Sequence, residues 1–447
     1  MSTQTDNPIT LPQVEQQQTT VGNYFVSNYP PFAYWNEGQL EQLQAVLQSP
    51  TPDESDLGLY VHIPFCRKRC HFCYFKVYTD KNKDEIRVYL DAVLDELGMY
   101  LDKPYLKGRL PSFVYFGGGT PSYLSPKQLE YLFNGLKERL SWKNVREVAF
   151  ECEPGTLTGP KLDVLRELGV TRLSLGIENL DDHILEVNGR AHHTKEIDKC
   201  YPHAKQLGFD QINVDLIAGM IDETDENWKR CVAQTIAMDP ECVTIYQMEI
   251  PYNTGIYQQM KAEGKVAAPV ADWPTKRRWV TYAFEELEKA GFTITSTTTA
   301  VKDPAHTRFE YRDRLWEGAD LLSLGVASFG HFGGVHYQNQ KDFGPYINQV
   351  QQGKLPLWRA LKTTKQERLV RELILRMKLG RIGKQYYRDK FGVDVEQEFP
   401  DAFKTLKQWG VLSIEDDDIV LTREGLLKVD LLLREFFLPQ HRGDRYV

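Results

Sequence analysis

The chain has 447 residues and a formal net charge of −8, with 54 Lys and Arg against 62 Asp and Glu. That length suits one large domain and a smaller one, and an acidic balance without a dense basic block argues against nucleic acid as the main partner. No run of about 18 apolar residues and no charged-then-apolar leader occurs, so neither a membrane span nor a signal peptide is expected and the chain reads as cytoplasmic.

Residues 1–22 are rich in Gln and Thr and poor in apolar side chains, the composition of a mobile arm. The stretch 23–56 opens with NYFVSNYPPFAYW and reads as an aromatic segment packed on the main domain. From Leu57 short apolar runs alternate with helical patterns, which implies an α/β fold with a parallel sheet. The predicted strands are 59–65, 112–118, 147–153, 172–178, 211–219 and 242–250. Among the predicted helices are 84–101 and 125–140, the latter with Ser125 as N-cap and Pro126 at the first helical position. Six such units over 57–300 fit either a partial (β/α)6 barrel or a doubly wound sheet. A helix over 273–292 precedes the strand-like FTITSTTTA, and an aromatic-rich segment follows within 301–355. The remainder, 356–447, turns to helices, then two short strands around the acidic turn Asp416–Asp418, then a helix.

The chemistry centres on CRKRCHFC, directly after the first predicted strand, which spaces Cys66, Cys70 and Cys73 as C-x3-C-x2-C. A cubane iron–sulfur cluster has four irons, so three thiolates leave one iron open to an exchangeable ligand. Zinc is the competing reading, with His71 or His62 as fourth ligand. The chain holds seven cysteines. An odd number, with the other four in apparent strands and helices, does not suggest disulfides.

Other candidates cluster at the carboxyl ends of predicted strands, where ligands bind in parallel sheets. Gly117 to Gly119, with Thr120 and Pro121, form a turn whose backbone a ligand could approach closely. Glu151 and Glu153 alternate on the third strand and so share a face. Arg190 suits a carboxylate, which a guanidinium grips with two bonds. Asp215 sits among apolar neighbours and needs a partner. The alternatives are a salt bridge within the fold for the carboxylates and a surface position for Arg190.

The C-x3-C-x2-C spacing followed by Tyr74 resembles the signature of radical S-adenosylmethionine (SAM) enzymes, and YVHIPFC, Tyr60 to Cys66, resembles the oxygen-independent coproporphyrinogen III oxidase family. That family also includes haem chaperones and the class C radical SAM methyltransferases. The resemblance implies a partial (β/α)6 radical SAM barrel with a small winged-helix-like C-terminal domain. It implies a [4Fe-4S] cluster on Cys66, Cys70 and Cys73, one or two molecules of SAM, and a flavodoxin- or ferredoxin-type electron donor. Tyr60 and Glu151 become the catalytic candidates. With Gly118, Gly119, Thr120, Glu178, Arg190, Asp215 and Ala327 they are also the SAM-binding candidates, Ala327 lying in the loop Gly325–Ser328 that resembles a second-SAM loop. Glu178 stands where the family commonly has Gln.

The chain departs from the oxidase pattern at Phe75, in place of a fourth cysteine, and at Phe309-Glu310-Tyr311. Three readings follow: a decarboxylase of porphyrinogen propionates in haem biosynthesis, a class C methyltransferase, or a haem chaperone with His331 or His336 as axial ligand. Around the loop Gly325–Ser328 lie Trp316, Phe329, His331, Phe332, His336 and Tyr337, aromatics that are more often core than a cofactor clamp, although Tyr and His at the mouth of an apolar pocket would fit a tetrapyrrole or another conjugated substrate. A monomer is expected.

Overall fold

A computed structural model of the chain describes residues 19, 22, 25–52, 55–265 and 268–442. Apart from Thr19 and Gly22, the expected N-terminal arm lies outside the described residues. Six parallel strands follow one another in chain order: β1 Leu57–Ile63, β2 Phe113–Gly118, β3 Glu147–Cys152, β4 Arg172–Glu178, β5 Gln211–Ala218 and β6 Cys242–Gln247. The apolar run that predicted 59–65 continues through Phe65, but Pro64 has no N–H to give a ladder and the chain turns there into the cysteine loop. At its other end β1 begins two residues earlier than expected, because Leu57 and Gly58 pair with a strand that the sequence did not place beside it.

That strand is the main topological difference from expectation. FTITSTTTA is not one strand but two short ones, β7 Thr293–Ile294 and β8 Thr299–Val301, which pair antiparallel beyond β6. The chain then crosses to the opposite side of the sheet. There β9 Asp320–Leu324 runs parallel to β1, and β10 Phe329–Phe332, β11 Val335–Asn339 and β12 Leu357–Lys362 continue antiparallel. Among the described residues the result is a twelve-stranded sheet with β12 and β7 at its ends and β1 inside it.

Alternation along each strand divides the side chains between two faces. On β1, Leu57, Leu59, Val61 and Ile63 join the large core under the outer helices. The helix Lys83–Leu101 is fixed there by a capping box, in which the Asn82 side chain accepts from the Glu85 N–H and the Glu85 carboxylate accepts from the Asn82 N–H; such caps contribute about 1 kcal/mol. The helix Pro126–Arg139 starts as expected, with Ser125 capping and Pro126 at its first position. The opposite parity, including Tyr60, Tyr115, Glu151 and Asp215, faces a concave lumen. Its floor is closed by Phe113, Ala319 and Leu321 with Tyr311 and Leu315 of the helix Glu310–Trp316.

A second core holds the C-terminal residues together and includes Val26 and Tyr29 from the N-terminal segment. Its small sheet has β13 Arg381–Gly383, β14 Leu412–Glu415 and β15 Asp418–Leu421 in the order β13-β15-β14, with the hairpin turning at Asp416 and Asp417. This unit meets the barrel where Gln247 Nε2 donates to the Leu427 carbonyl and Thr297 Oγ1 to that of Leu426.

Candidate active site

The cysteine loop is tied to the loops around it. The Cys66 N–H donates to the Tyr78 carbonyl at 3.1 Å, the His71 N–H to that of Asn188 at 3.1 Å, and the Cys73 N–H to that of Cys70 at 3.2 Å. Two arginines between the cysteines brace it further. Arg67 donates to the Ala191 carbonyl at 2.6 Å, and Arg69 bridges the carbonyls of Cys73 and Asn253 at 3.1 and 2.8 Å. Burial pushes the Cys66 thiol up to about 12 and raises that of Cys73. Thiols held this way resist ionising in water, and a metal that takes the proton's place relieves the penalty. Cys66 Sγ lies 3.2 Å from Thr120 Oγ1, and Cys70 Sγ accepts from Arg190 at 3.3 Å. The histidines considered for zinc have other neighbours: His71 Nδ1 is 3.2 Å from the Val187 carbonyl, and His62 Nδ1 is 3.0 Å from Tyr60 Oη. Among the described residues no three His, Cys, Asp or Glu side chains converge on one ion. A cluster presents each thiolate to a different iron, so its ligands need no such convergence.

Beside this loop, β2 ends in Gly117 and Gly118 and runs on into Gly119, and the last two leave no room for a side chain. A Cβ on Gly118, whose φ is +116°, would lie 2.5 Å from the His62 ring, and one on Gly119 would lie 2.9 Å from the Pro64 backbone and 3.1 Å from Cys66 Sγ. Glu151 fixes the turn by accepting from the Gly118 N–H at 3.0 Å and from Tyr115 Oη at 2.5 Å. Burial pushes Glu151 up to about 7.

Arg190 reaches into the lumen from the turn after the helix Asp182–Val187. Its guanidinium donates to the Gly176 carbonyl at 2.5 Å and lies 3.5 Å from Glu178 Oε1. Glu178 has φ +67° and follows a register shift between β4 and β5, which carries its carboxylate back toward Arg190. Asp215 accepts from Asn213 at 2.8 Å; burial first, then the charge of Glu178, push it up to about 8. Tyr60 stands beside Tyr115 with ring centroids 6.0 Å apart. Ala327, at φ +60°, lies in the loop after β9, where the Glu96 carboxylate accepts from the Gly325 N–H at 2.8 Å and Tyr89 Oη from the Val326 N–H at 3.1 Å. Because β9 is parallel to β1, that loop reaches the same end of the sheet as the cysteines.

The structure thus gathers the cysteines, Tyr60, Gly118, Gly119, Thr120, Glu151, Glu178, Arg190, Asp215 and Ala327 at one end of the barrel. It separates others. β3 stops at Cys152, and Glu153 turns out of the lumen to hold His192 at 2.9 Å, Arg67 at 3.4 Å and the Gly155 N–H at 3.0 Å. The internal salt bridge therefore describes Glu153, and the shared face with Glu151 does not. His331 and His336 are buried against each other, Nδ1 to Nδ1 2.9 Å, with His336 stacked on Trp35 and its Nε2 3.2 Å from the Tyr29 carbonyl. They are not placed as axial ligands. Phe332 and Tyr337 are core residues, the commoner role for such aromatics, and Phe329 packs on Phe32 and Trp35. Tyr115 and Tyr246 share the lumen-facing parity of β2 and β6, and Arg172, on the matching parity of β4, is buried with its guanidinium 4.4 Å from the Phe309 ring; no motif in the sequence marks these three.

Two buried polar atoms here, His62 Nε2 and Arg190 Nε, have no hydrogen-bond partner among the described residues. With Glu151 and Asp215 they form a set of donors and acceptors at the mouth suited to an amino acid and a ribose, and the three thiols suit a cluster with one open iron. A [4Fe-4S] cluster and SAM therefore fit the residues present.

Comparison with known proteins agrees. The chain matches the Radical SAM superfamily over residues 60–234 and the HemN C-terminal domain over 363–427. It is 27% identical to the oxygen-independent coproporphyrinogen III oxidase of Escherichia coli over 431 residues, 90% of either chain. It is 26% identical to the heme chaperone HemW of Bacillus subtilis over 375 residues, 82% of this chain and 96% of that one. Its fold superposes on the solved structure of coproporphyrinogen III oxidase (HemN) from Escherichia coli with a TM-score of 0.79 at 23% identity, covering 94% of this chain and 99% of that one. The cofactors this implies are a [4Fe-4S] cluster and SAM, and the chain carries a radical SAM domain followed by a HemN C-terminal domain.

Proposed function

We propose that this chain oxidatively decarboxylates propionate side chains of a porphyrinogen to vinyl groups, in haem biosynthesis. The observation that carries the proposal is the convergence of Cys66, Cys70, Cys73, the Gly118 turn, Glu151, Arg190 and Asp215 at the open end of a lumen whose other end is closed. It is supported by coverage of nearly the whole length of the coproporphyrinogen oxidase relatives. When bound, the cluster and SAM supply hydrogen abstraction by a primary carbon radical.

The protein's own residues bind, orient and exclude water. Cys66, Cys70 and Cys73 hold the cluster. Arg190 offers its guanidinium to the SAM carboxylate, while the Gly118–Gly119 backbone and Glu151 receive its ammonium. Asp215 faces the ribose hydroxyls, where a hydrogen-bonded partner would offset the cost of a buried carboxylate. The floor of Phe113, Leu321 and Tyr311, the last stacked on Tyr115 at 4.2 Å, closes the lower lumen against water that would quench a radical. Loss of one hydrogen atom, one electron and carbon dioxide from a propionate leaves the vinyl group. A flavodoxin- or ferredoxin-type protein supplies the reducing electron, and the reaction takes place in the cytoplasm.

A second reading has an observation of its own. Phe75 replaces the fourth cysteine of the oxidase pattern, which keeps SAM-dependent methyl transfer to a haem or another conjugated substrate in play. The two separate on products. Anaerobically reconstituted protein is incubated with SAM, a reductant and coproporphyrinogen III, and all small products are read by mass spectrometry. Vinyl products with 5′-deoxyadenosine establish the decarboxylase. S-adenosylhomocysteine with a methylated product moves methyl transfer to first place. An intact cluster without SAM cleavage sinks both, and tight haem binding in its place would indicate a chaperone.

A further inference from the structure

Two buried polar side chains, Asn213 (2% exposed) and Thr244 (7%), stand beside Asp215 on the lumen face of β5 and β6. On β5 Gln211, Asn213 and Asp215 alternate onto that face, and on β6 Cys242, Thr244 and Tyr246 do so, with Thr244 in register with Asp215. An amide in the middle of a parallel strand is a poor strand former and costs free energy unless its polar atoms are met. Here they are met in series. Thr244 Oγ1 donates to Asn213 Oδ1 at 2.8 Å, and Asn213 Nδ2 donates to Asp215 Oδ1 at 2.8 Å. The direction of this chain is fixed at its end, since a carboxylate only accepts and so draws the NH2 side of the amide. The Thr244 hydroxyl then satisfies the amide oxygen, which without it would be buried and lack a donor. The Arg172 guanidinium, from β4, is committed to Gln211 Oε1 at 2.6 Å and gives Asp215 no hydrogen bond. Asn213 thus holds Oδ1 of Asp215 and leaves Oδ2 for a ligand.

We propose that Thr244 and Asn213 are positioning residues for the cofactor's ribose: the chain from Thr244 through Asn213 turns the Asp215 carboxylate so that Oδ2 meets a ribose hydroxyl. The proposal rests on Asp215 as the ribose acceptor and adds what fixes its rotamer. A self-contained polar pair in the core would be the simpler role, yet apolar side chains of the same shape would pack there at no greater cost. Selectivity separates the two roles. A carboxylate turned the wrong way loses the hydroxyl contacts and leaves the other contacts to the cofactor in place, whereas a damaged strand weakens all of them.

The test measures Kd by equilibrium dialysis on cluster-loaded protein without reductant, so that the ligand stays intact, for SAM and for a SAM analogue lacking the ribose 2′ and 3′ hydroxyls. Iron content is measured for every variant. The wild type should bind the analogue about tenfold more weakly than SAM. Thr244→Val keeps the shape and removes the donor. It should bind SAM about tenfold more weakly than the wild type does, and the analogue within about twofold of the wild type. Thr244→Ser restores the hydroxyl and should bind both ligands within about twofold of the wild type. Asn213→Ala breaks the chain at its middle and should show the same hydroxyl-specific loss, and it decides the matter if Thr244→Val does not take up iron. A loaded Thr244→Val or Asn213→Ala protein that binds SAM as the wild type does overturns the relay and leaves Asp215 as the ribose acceptor. Equal losses for SAM and the analogue, or Thr244→Ser as weak as Thr244→Val, overturn it as well, because the pair would then only support the fold. A wild type that binds both ligands equally removes Asp215 from the ribose, and the relay with it.

Discussion

Replacing Glu178 by Gln should tighten SAM binding. Glu178 Oε1 lies 3.5 Å from Arg190, the group proposed for the SAM carboxylate, with both side chains nearly buried. At that distance and an effective dielectric of about 20, the gross attraction is about 5 kcal/mol. Most of that is cancelled by desolvation of the pair. A residue of about 1.4 kcal/mol would make Glu178 compete with the cofactor by about tenfold. Gln keeps the shape and the backbone conformation at φ +67° while removing the charge that faces the incoming carboxylate. The assay is equilibrium dialysis of SAM against anaerobically reconstituted wild type and Glu178→Gln, at equal iron content. A Kd about tenfold lower in the variant is expected. An unchanged or higher Kd would falsify the idea that Glu178 occupies Arg190 in the cofactor's place.

Cys73→Ala should reduce iron after reconstitution from about four per chain to a small fraction of that, read by colorimetric iron assay and loss of the cluster's visible absorbance; full loading would remove Cys73 from the ligand set. Glu151 and Asp215 are pushed up by burial to about 7 and about 8, above unfolded values near 4. Between about pH 4 and 8 the folded, metal-free protein thus binds more protons than the unfolded chain, and their contribution to stability is lost as pH rises. Urea denaturation at pH 5.5 and 8 should show a smaller decline for Asp215→Asn than for wild type, and equal slopes would count against it. Asp320 is buried with Arg109 at 2.7 Å and also accepts from Tyr105 Oη and the Gly333 N–H. Asp320→Ala strands the guanidinium and should cost about 3–5 kcal/mol in the urea midpoint analysis; a cost below about 1 kcal/mol would refute that account.

The parallel core was legible because strands covered by helices are written as short β-branched runs, and the cysteine loop because its spacing is local. The lumen was written in the sequence too, in the parity of each strand. Tyr60 and His62, Tyr115 and Gly117, Arg172 and Ser174, Asn213 and Asp215, and Thr244 and Tyr246 all occupy alternate positions whose polar or small character interrupts an otherwise apolar strand. Reading that parity would have found Tyr115, Tyr246 and Arg172. Glu153 shares the parity of Glu151 and was misplaced because the strand ends one residue before it, a boundary set by Pro154 and by the partners waiting in His192 and Arg67. The pairing of β9 with β1 could not be read locally, since nothing in DLLSL specifies which edge it joins. Nor could the burial of His331 and His336, which depends on the N-terminal segment returning to lay Trp35 across them.

The position of β1 has a consequence for biogenesis. It is the first strand made and an interior strand of the finished sheet, bounded by β2 on one side and by β9 on the other. While the chain emerges, the β9 side of β1 must wait until residue 320 has left the ribosome, on the order of 10–50 s later at ordinary elongation rates. During that wait it presents an unsatisfied row of backbone donors and acceptors next to the nascent cysteine loop, a template for pairing with another chain. Slow elongation or a pause in the intervening stretch would lengthen the exposure. Aggregation during expression should therefore respond to translation speed across residues 64–320 more than to the stability of the folded protein.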